Sequence, residues 1–254
     1  MIKKLLGNLL RKAGYQAVPT AMLRQVGLEL HLKELFATQR IDAVFDVGAN
    51  RGQFYRLLRD GAQFADTVLS FEPIPELHRA LSDLSHGDPK WHVFPFALGA
   101  VEDSLNLNVM KVDVFSSFLT PDLDHSERYR ESNKPQRREL VDVKRLDDIF
   151  AALCREYAFE RPYLKMDTQG YDLNVLMGGA TSLGRFVALQ TEASVLALYK
   201  DMPSWRQVVY YLGSVGFELS GVFPVNTDPQ MRLIEFDCIM VNPMRTLGAT
   251  ARPA

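Results

Sequence analysis

The chain has 254 residues, 47% of them hydrophobic, and a formal net charge of -2. That length supports one large α/β domain with no metal or disulfide staple, and near-neutral charge excludes a global pull toward nucleic acid. The two cysteines, Cys154 and Cys238, lack metal-ligand spacing and suit core positions in a reducing compartment, so no metal site is expected.

Ile2, Leu5, Leu6, Leu9 and Leu10 recur at helical spacing, with Lys3, Lys4, Arg11 and Lys12 mostly across from them. Charge interrupts the apolar stretch, which argues against a signal peptide. Two readings stand: a helix lying on an anionic membrane surface, or one docking on its own domain or on a second copy in a homo-oligomer. The chain is expected to be cytoplasmic, and on the first reading peripheral to the inner membrane face. Residues 1–40 form an N-terminal helical segment, 41–245 one domain and 246–254 a disordered tail.

Val44 to Val47 form a short buried strand, followed by a helix with Phe54, Leu57 and Leu58 on one face. Thr67 to Phe71 is a second strand, and Pro75 opens a helix with Leu77, Ala80, Leu81 and Leu84 in phase. A third strand is expected over His92 to Phe96. Leu105, Leu107 and Val109, and later Leu140 and Val143, alternate as two outlying strands do. The polar stretch Pro121 to Arg138 between them reads either as a solvated loop or as a lid within an insertion at about 110–140. As a lid, its Arg128, Tyr129, Arg130, Arg137 and Arg138 would suit an acidic glycan. The stripe from Leu146 to Tyr157 is helical, Tyr163 to Asp167 and Phe186 to Glu192 are strands, and Ser204 to Gln207 has capping-box spacing. Phe217 to Val222 and Ile234 to Val241 are joined too closely for a crossover helix, so they should pair antiparallel. The expected fold is therefore a doubly wound, Rossmann-like α/β sheet of seven strands with an antiparallel C-terminal hairpin, as in class I methyltransferases.

In such a sheet the ligand sits beyond the carboxyl ends of the strands. The first turn reads Asp46, Val47, Gly48, Ala49, Asn50, Arg51, Gly52, Gln53, Phe54. Gly48 and Gly52 allow close backbone approach to a ligand, while Asp46 would repel a pyrophosphate. S-adenosylmethionine brings an ammonium and a sulfonium instead. Asp46 should meet that charge, and free N–H groups near Gly52 should take the carboxylate. The third glycine of a dinucleotide turn and the Gly-Lys-Ser/Thr of a P-loop are both missing. Glu72, before Pro73 at the end of the second strand, can accept from both ribose hydroxyls. Ala97 would contact adenine, and Asp167 would face the transferable methyl group.

Together these segments resemble the FkbM family of methyltransferases from about Val44 to Val241. The motifs are Phe45 to Gln53; Phe71, Glu72, Pro73; Leu146, Asp147, Asp148; and Leu164 to Gly170 with Val175, Leu176, Gly178 and Gly179. Gln190, Thr191, Glu192 and the closing Phe236, Asp237 complete them. The segment around Asp167, linked to Glu192, is the more specific part. The resemblance implies S-adenosylmethionine-dependent O-methylation of a hydroxyl on a sugar, glycolipid, polysaccharide or glycosylated natural product. Many members carry Glu where this chain has Gln169, which leaves Asp167 as first and Glu192 as second candidate base, with Lys165 and His125 as outsiders. The rival readings are a nicotinamide-dependent oxidoreductase and a non-catalytic, cofactor-binding scaffold in a glycan-assembly complex.

Overall fold

The computed structural model describes residues 23–122 and 129–247. In chain order they form α1 (Leu23–Gln39), β1 (Ala43–Val47), α2 (Gln53–Arg56) running into a π-helical turn at Leu57–Gly61, β2 (Thr67–Phe71), α3 (Pro75–Ser85), β3 (Trp91–Phe94), β4 (Ala97–Leu98) and β5 (Asp103–Met110). A short 3-10 turn at Asp113–Phe115 precedes β6 (Pro135–Lys144), α4 (Leu146–Tyr157), β7 (Pro162–Met166), α5 (Asp172–Gly178), β8 (Ala188–Ser194), α6 (Trp205–Ser214), β9 (Glu218–Thr227) and β10 (Leu233–Val241). The proposed amphipathic helix near the N-terminus, His125, Arg128 and the tail beyond Leu247 lie outside the described residues.

β1 and β7 are buried at every position, as strands covered on both faces must be. The main sheet has the order β3-β2-β1-β7-β8-β10-β9. Its first five strands pair in parallel, and β10 is antiparallel to both β8 and β9. This is the seven-stranded sheet with a C-terminal hairpin that the sequence led one to expect. Val44, Tyr163, Ala188 and Ile239 face α1, through Leu28, Leu32 and Phe36. The alternate residues Phe45, Leu164, Leu189 and Cys238 face Phe150 of α4, Leu176 of α5 and Leu212 of α6. Among the described residues, no helix is long and apolar enough to cross a membrane.

Three boundaries differ from the sequence reading. β3 ends at Phe94, because Pro95 lacks the N–H a ladder needs; Ala97 and Leu98 pair instead with β6 in a second sheet of order β4-β6-β5. β6 begins at Pro135, so Arg137 and Arg138 lie in a strand and not in a loop. An antiparallel ribbon with one face in water tolerates that polarity. β9 and β10 are longer than expected, because an edge strand accommodates Pro224. Asp228 closes their turn by accepting from the backbone N–H of Gln230 (2.9 Å) and Arg232 (2.8 Å). The capping box of Ser204 and Gln207 is formed as expected.

Candidate active site

Alternation along the strands puts Ser70, Asp46, Lys165 and Gln190 in one row across β2, β1, β7 and β8, on the face covered by α1. Asp46 is fully buried. Its Oδ1 lies 3.1 Å from Lys165 Nζ, and its Oδ2 accepts the Ser70 hydroxyl at 3.2 Å. Trp91 Nε1 donates to that hydroxyl in turn, at 3.0 Å. Burial works against the charge on Lys165, but Asp46 and Asp167 outweigh it and hold the pKa above the ordinary lysine value. Asp46 therefore does not present its carboxylate to a ligand, as the sequence reading expected. Its partner is a lysine from β7, and it does not line the cavity.

The first turn also differs from expectation. A Cβ on Gly48, whose φ is +77°, would lie 2.1 Å from the carbonyl oxygen of Asp167. One on Gly52 (φ +73°) would crowd Leu81 and Trp91 at 3.1 and 3.3 Å. Both glycines thus serve contacts within the protein: the turn after β1 packs on the turn after β7. The N–H groups from Gly48 to Gly52 are spent internally. Gly48 and Ala49 donate to Phe71 O, Gly52 to Ala49 O, Arg51 to Gln53 Oε1 and Asn50 to Glu72 Oε2. The N–H of Gly52 itself is taken, whereas those of Gln53 and Phe54, in the uncapped first turn of α2, have no acceptor among the described residues and stand on the cavity rim with the side-chain amides of Asn50 and Gln53.

Glu72 is 3% exposed, and each carboxylate oxygen accepts one backbone N–H: Oε2 from Asn50 (2.7 Å) and Oε1 from Ile74 (2.9 Å). Burial pushes its pKa up to about 7 against the effect of these bonds. A carboxylate has about four acceptor positions, so roughly half its capacity remains for the cavity it lines.

At the end of β7, Gln169 Nε2 stands 3.0 Å from Asp167 Oδ1 and 2.9 Å from Glu192 Oε2. One amide thus bridges the two carboxylates singled out from the sequence. Burial, and then the neighbouring Asp167, Glu235, Asp237 and Asp172, raise Glu192 well above the usual carboxylate range. Asp237, directly opposite Glu192 in the β8–β10 ladder, accepts from Gln190 Nε2 at 2.8 Å and is raised by burial to about 6.

These groups open on one cavity of about 860 Å³, within the range of roughly 300–1,000 Å³ usual for small-molecule and cofactor sites. Gly48, Ala49, Asn50, Gln53, Phe54, Glu72, Pro73, Ala97, Lys165, Asp167, Gln169 and Glu192 line it; Asp46 and Gly52 do not. Sequence reasoning gave no site role to several other parts of the wall. Gln25 and Leu28 come from α1, Asp113, Val114, Ser116 and Phe118 from the segment after β5, and Phe223, Pro224, Val225 and Asp237 from the hairpin. Asp237 belongs to the closing Phe236–Asp237 motif; the others carry no local signal. Tyr129, Arg130, Arg137 and Arg138 do not line the cavity. Arg137 is held by Glu76 and by Glu139; among the described residues the cover over the cavity comes from Asp113, Val114, Ser116 and Phe118 and carries no cation.

The sequence matches the methyltransferase FkbM domain over residues 46–219. The chain belongs to the FkbM methyltransferase family. Among curated proteins no sequence matches it. Among solved structures it is similar to a methyltransferase FkbM from Methylobacillus flagellatus KT, with 15% identity and a TM-score of 0.49, over 79% of this chain and 43% of that one. The chain therefore spans less than half of that relative's length. It is also similar to a human methyltransferase 10 domain containing protein (12% identity, TM-score 0.44, 94% of this chain and 95% of that one). A third likeness is to an rRNA methylase from Streptococcus thermophilus (10% identity, TM-score 0.43, 84% and 93%). The FkbM match includes Glu72, Asp167, Gln169 and Glu192, whereas α1, all but the first two residues of β9 and all of β10 lie outside it.

Proposed function

We propose that this FkbM-family protein binds S-adenosylmethionine in the cavity and transfers its methyl group to a hydroxyl of a sugar, glycolipid, polysaccharide or glycosylated natural product. The observation that carries the reading is the sharing of one cavity by Glu72, with spare acceptor capacity, and the amide-bridged Asp167 and Glu192. The donor set fits that cofactor. Pro73, Ala97 and neighbouring apolar groups suit a base, Glu72 suits the ribose hydroxyls, and Asn50 and Gln53 suit the amino-acid end. Asp167 sits where positive charge is to be met. The one lysine among the described residues that line the cavity is already committed to Asp46, which disfavours a pyrophosphate and hence a nicotinamide dinucleotide.

When bound, the cofactor supplies an electrophilic methyl group. An alcohol is a weak nucleophile, so a base must take its proton as the carbon–oxygen bond forms. Asp167 is the first choice for that base and Glu192 the second, because both face the cavity and share Gln169 as donor. Lys165 holds charge on this side without itself accepting a proton. On this reading the wall of Leu28 and Phe223, outside the family match, faces the acceptor and sets which one fits.

Calorimetric titration with S-adenosylhomocysteine and, separately, with NADH tests the cofactor. Uptake of the first and not of the second is expected; the reverse overturns the reading. Transfer of labelled methyl from S-adenosylmethionine to a sugar, glycolipid, polysaccharide or glycosylated natural-product pool tests the reaction, and transfer to any of them eliminates a non-catalytic scaffold.

A further inference from the structure

We propose that Tyr199, acting through the Gln169 amide, is a positioning residue that fixes Asp167 and Glu192 as a facing pair and ties them to the segment covering the cavity. The pair's role as base rests on the function proposed above; its geometry does not.

An amide nitrogen carries two N–H donors, and in Gln169 both are within reach of carboxylate oxygens, at 3.0 and 2.9 Å. Rotated by half a turn, the amide would aim its oxygen at the same two carboxylates, so its orientation decides whether it joins or repels them. Tyr199 sets that orientation. Its hydroxyl lies 3.1 Å from Gln169 Oε1 and 2.7 Å from the carbonyl of Phe115, and its one proton serves either acceptor. The ring is 1% exposed and packs with Met110 and Leu198, with Phe115, Leu119 and Met202 against them. It has no room to swing away.

The cover holds Gln169 at a second point. Ser117 Oγ donates to the Gln169 backbone carbonyl at 2.8 Å. Gln169 has φ +52° and precedes Gly170 at φ +88°. A left-handed glutamine persists only where its surroundings over-determine it, and here the cover and Tyr199 do so. The charged groups facing the pair are Lys165 on β7, Asp172 on α5, and Glu235 and Asp237 on β10. Lys165 is the cation among them, and it lies nearer Asp46 (3.1 Å) than Asp167 (3.8 Å). The amide is therefore what stands between the two acids.

The test needs no acceptor. Carboxyl carbon-13 resonances of labelled Asp and Glu are titrated in the free protein and with saturating S-adenosylhomocysteine, the two signals being assigned by their loss in Asp167→Asn and Glu192→Gln. Gln169→Ala removes two donors from the charged forms and should raise both midpoints by about one pH unit. Tyr199→Phe should move them the same way by less. A merely structural tyrosine would lower the melting temperature and leave the midpoints in place. Midpoints unchanged in a folded Tyr199→Phe overturn the proposal. So do unchanged midpoints in Gln169→Ala, whether or not Tyr199→Phe folds. Adenosylhomocysteine binding is read separately, so failure of this relay and failure of the cofactor reading are distinguishable.

Discussion

Lys165 is the register partner of Asp46 across the two central strands, and their side chains meet at 3.1 Å in the buried interior. The acid of the first turn is thus neutralised from within the sheet. Lys165→Met should strand a buried carboxylate and cost about 3–5 kcal/mol, a fall in Tm on the order of 10 °C. The double variant Asp46→Asn/Lys165→Met should recover most of that loss. Thermal unfolding of the three proteins checks this, and equal losses in the single and double variants would contradict it.

Asp167 lines the cavity without any backbone N–H committed to it, whereas Glu72 has two. Asp167→Asn should reduce methyl transfer about 100-fold or more, with adenosylhomocysteine affinity retained. Initial rates with labelled S-adenosylmethionine and calorimetry on the same preparation measure both. Turnover near the original level would pass the role of base to Glu192.

Glu72, raised to about 7 by burial, links cofactor binding to pH. Ribose hydroxyls donate to the ionised form, so affinity should rise with pH through about 7 and level off above it. Stability of the free protein runs the opposite way. The folded state holds this proton more tightly than the unfolded chain, so the contribution is full below pH 4.5 and is lost as pH rises through about 7. Calorimetry between pH 5.5 and 8.5 should show the slope, and Glu72→Gln should flatten it. A flat profile in the original protein would falsify the ribose assignment.

Gly48 tolerates no side chain. Gly48→Ala places a methyl group 2.1 Å from the Asp167 carbonyl oxygen at a φ of +77°. The turns after β1 and β7 must then separate, so both stability and adenosylhomocysteine affinity should fall. Gly213, where an added Cβ meets nothing, is the control: Gly213→Ala should be neutral or slightly stabilising.

The order of strands and helices, the C-terminal hairpin and the identity of Glu72, Asp167 and Glu192 as cavity groups were legible in the sequence, because hydrophobic periodicity and strand-end position are local properties. Pairing was not. That Asp46 spends its charge on Lys165, that Gly48 and Gly52 make room for Asp167, Leu81 and Trp91, and that Tyr199 reaches Gln169 depend on residues tens of positions apart. The arginines at 137 and 138 look like a ligand-binding lid in one dimension; folded, Arg137 is a surface ion-pair partner of Glu76 and Glu139. A sequence determines which chemical groups stand at the ends of strands. Only the packing of one turn against another decides which of them remain free to meet a ligand, since a buried charge takes the nearest partner before any ligand arrives.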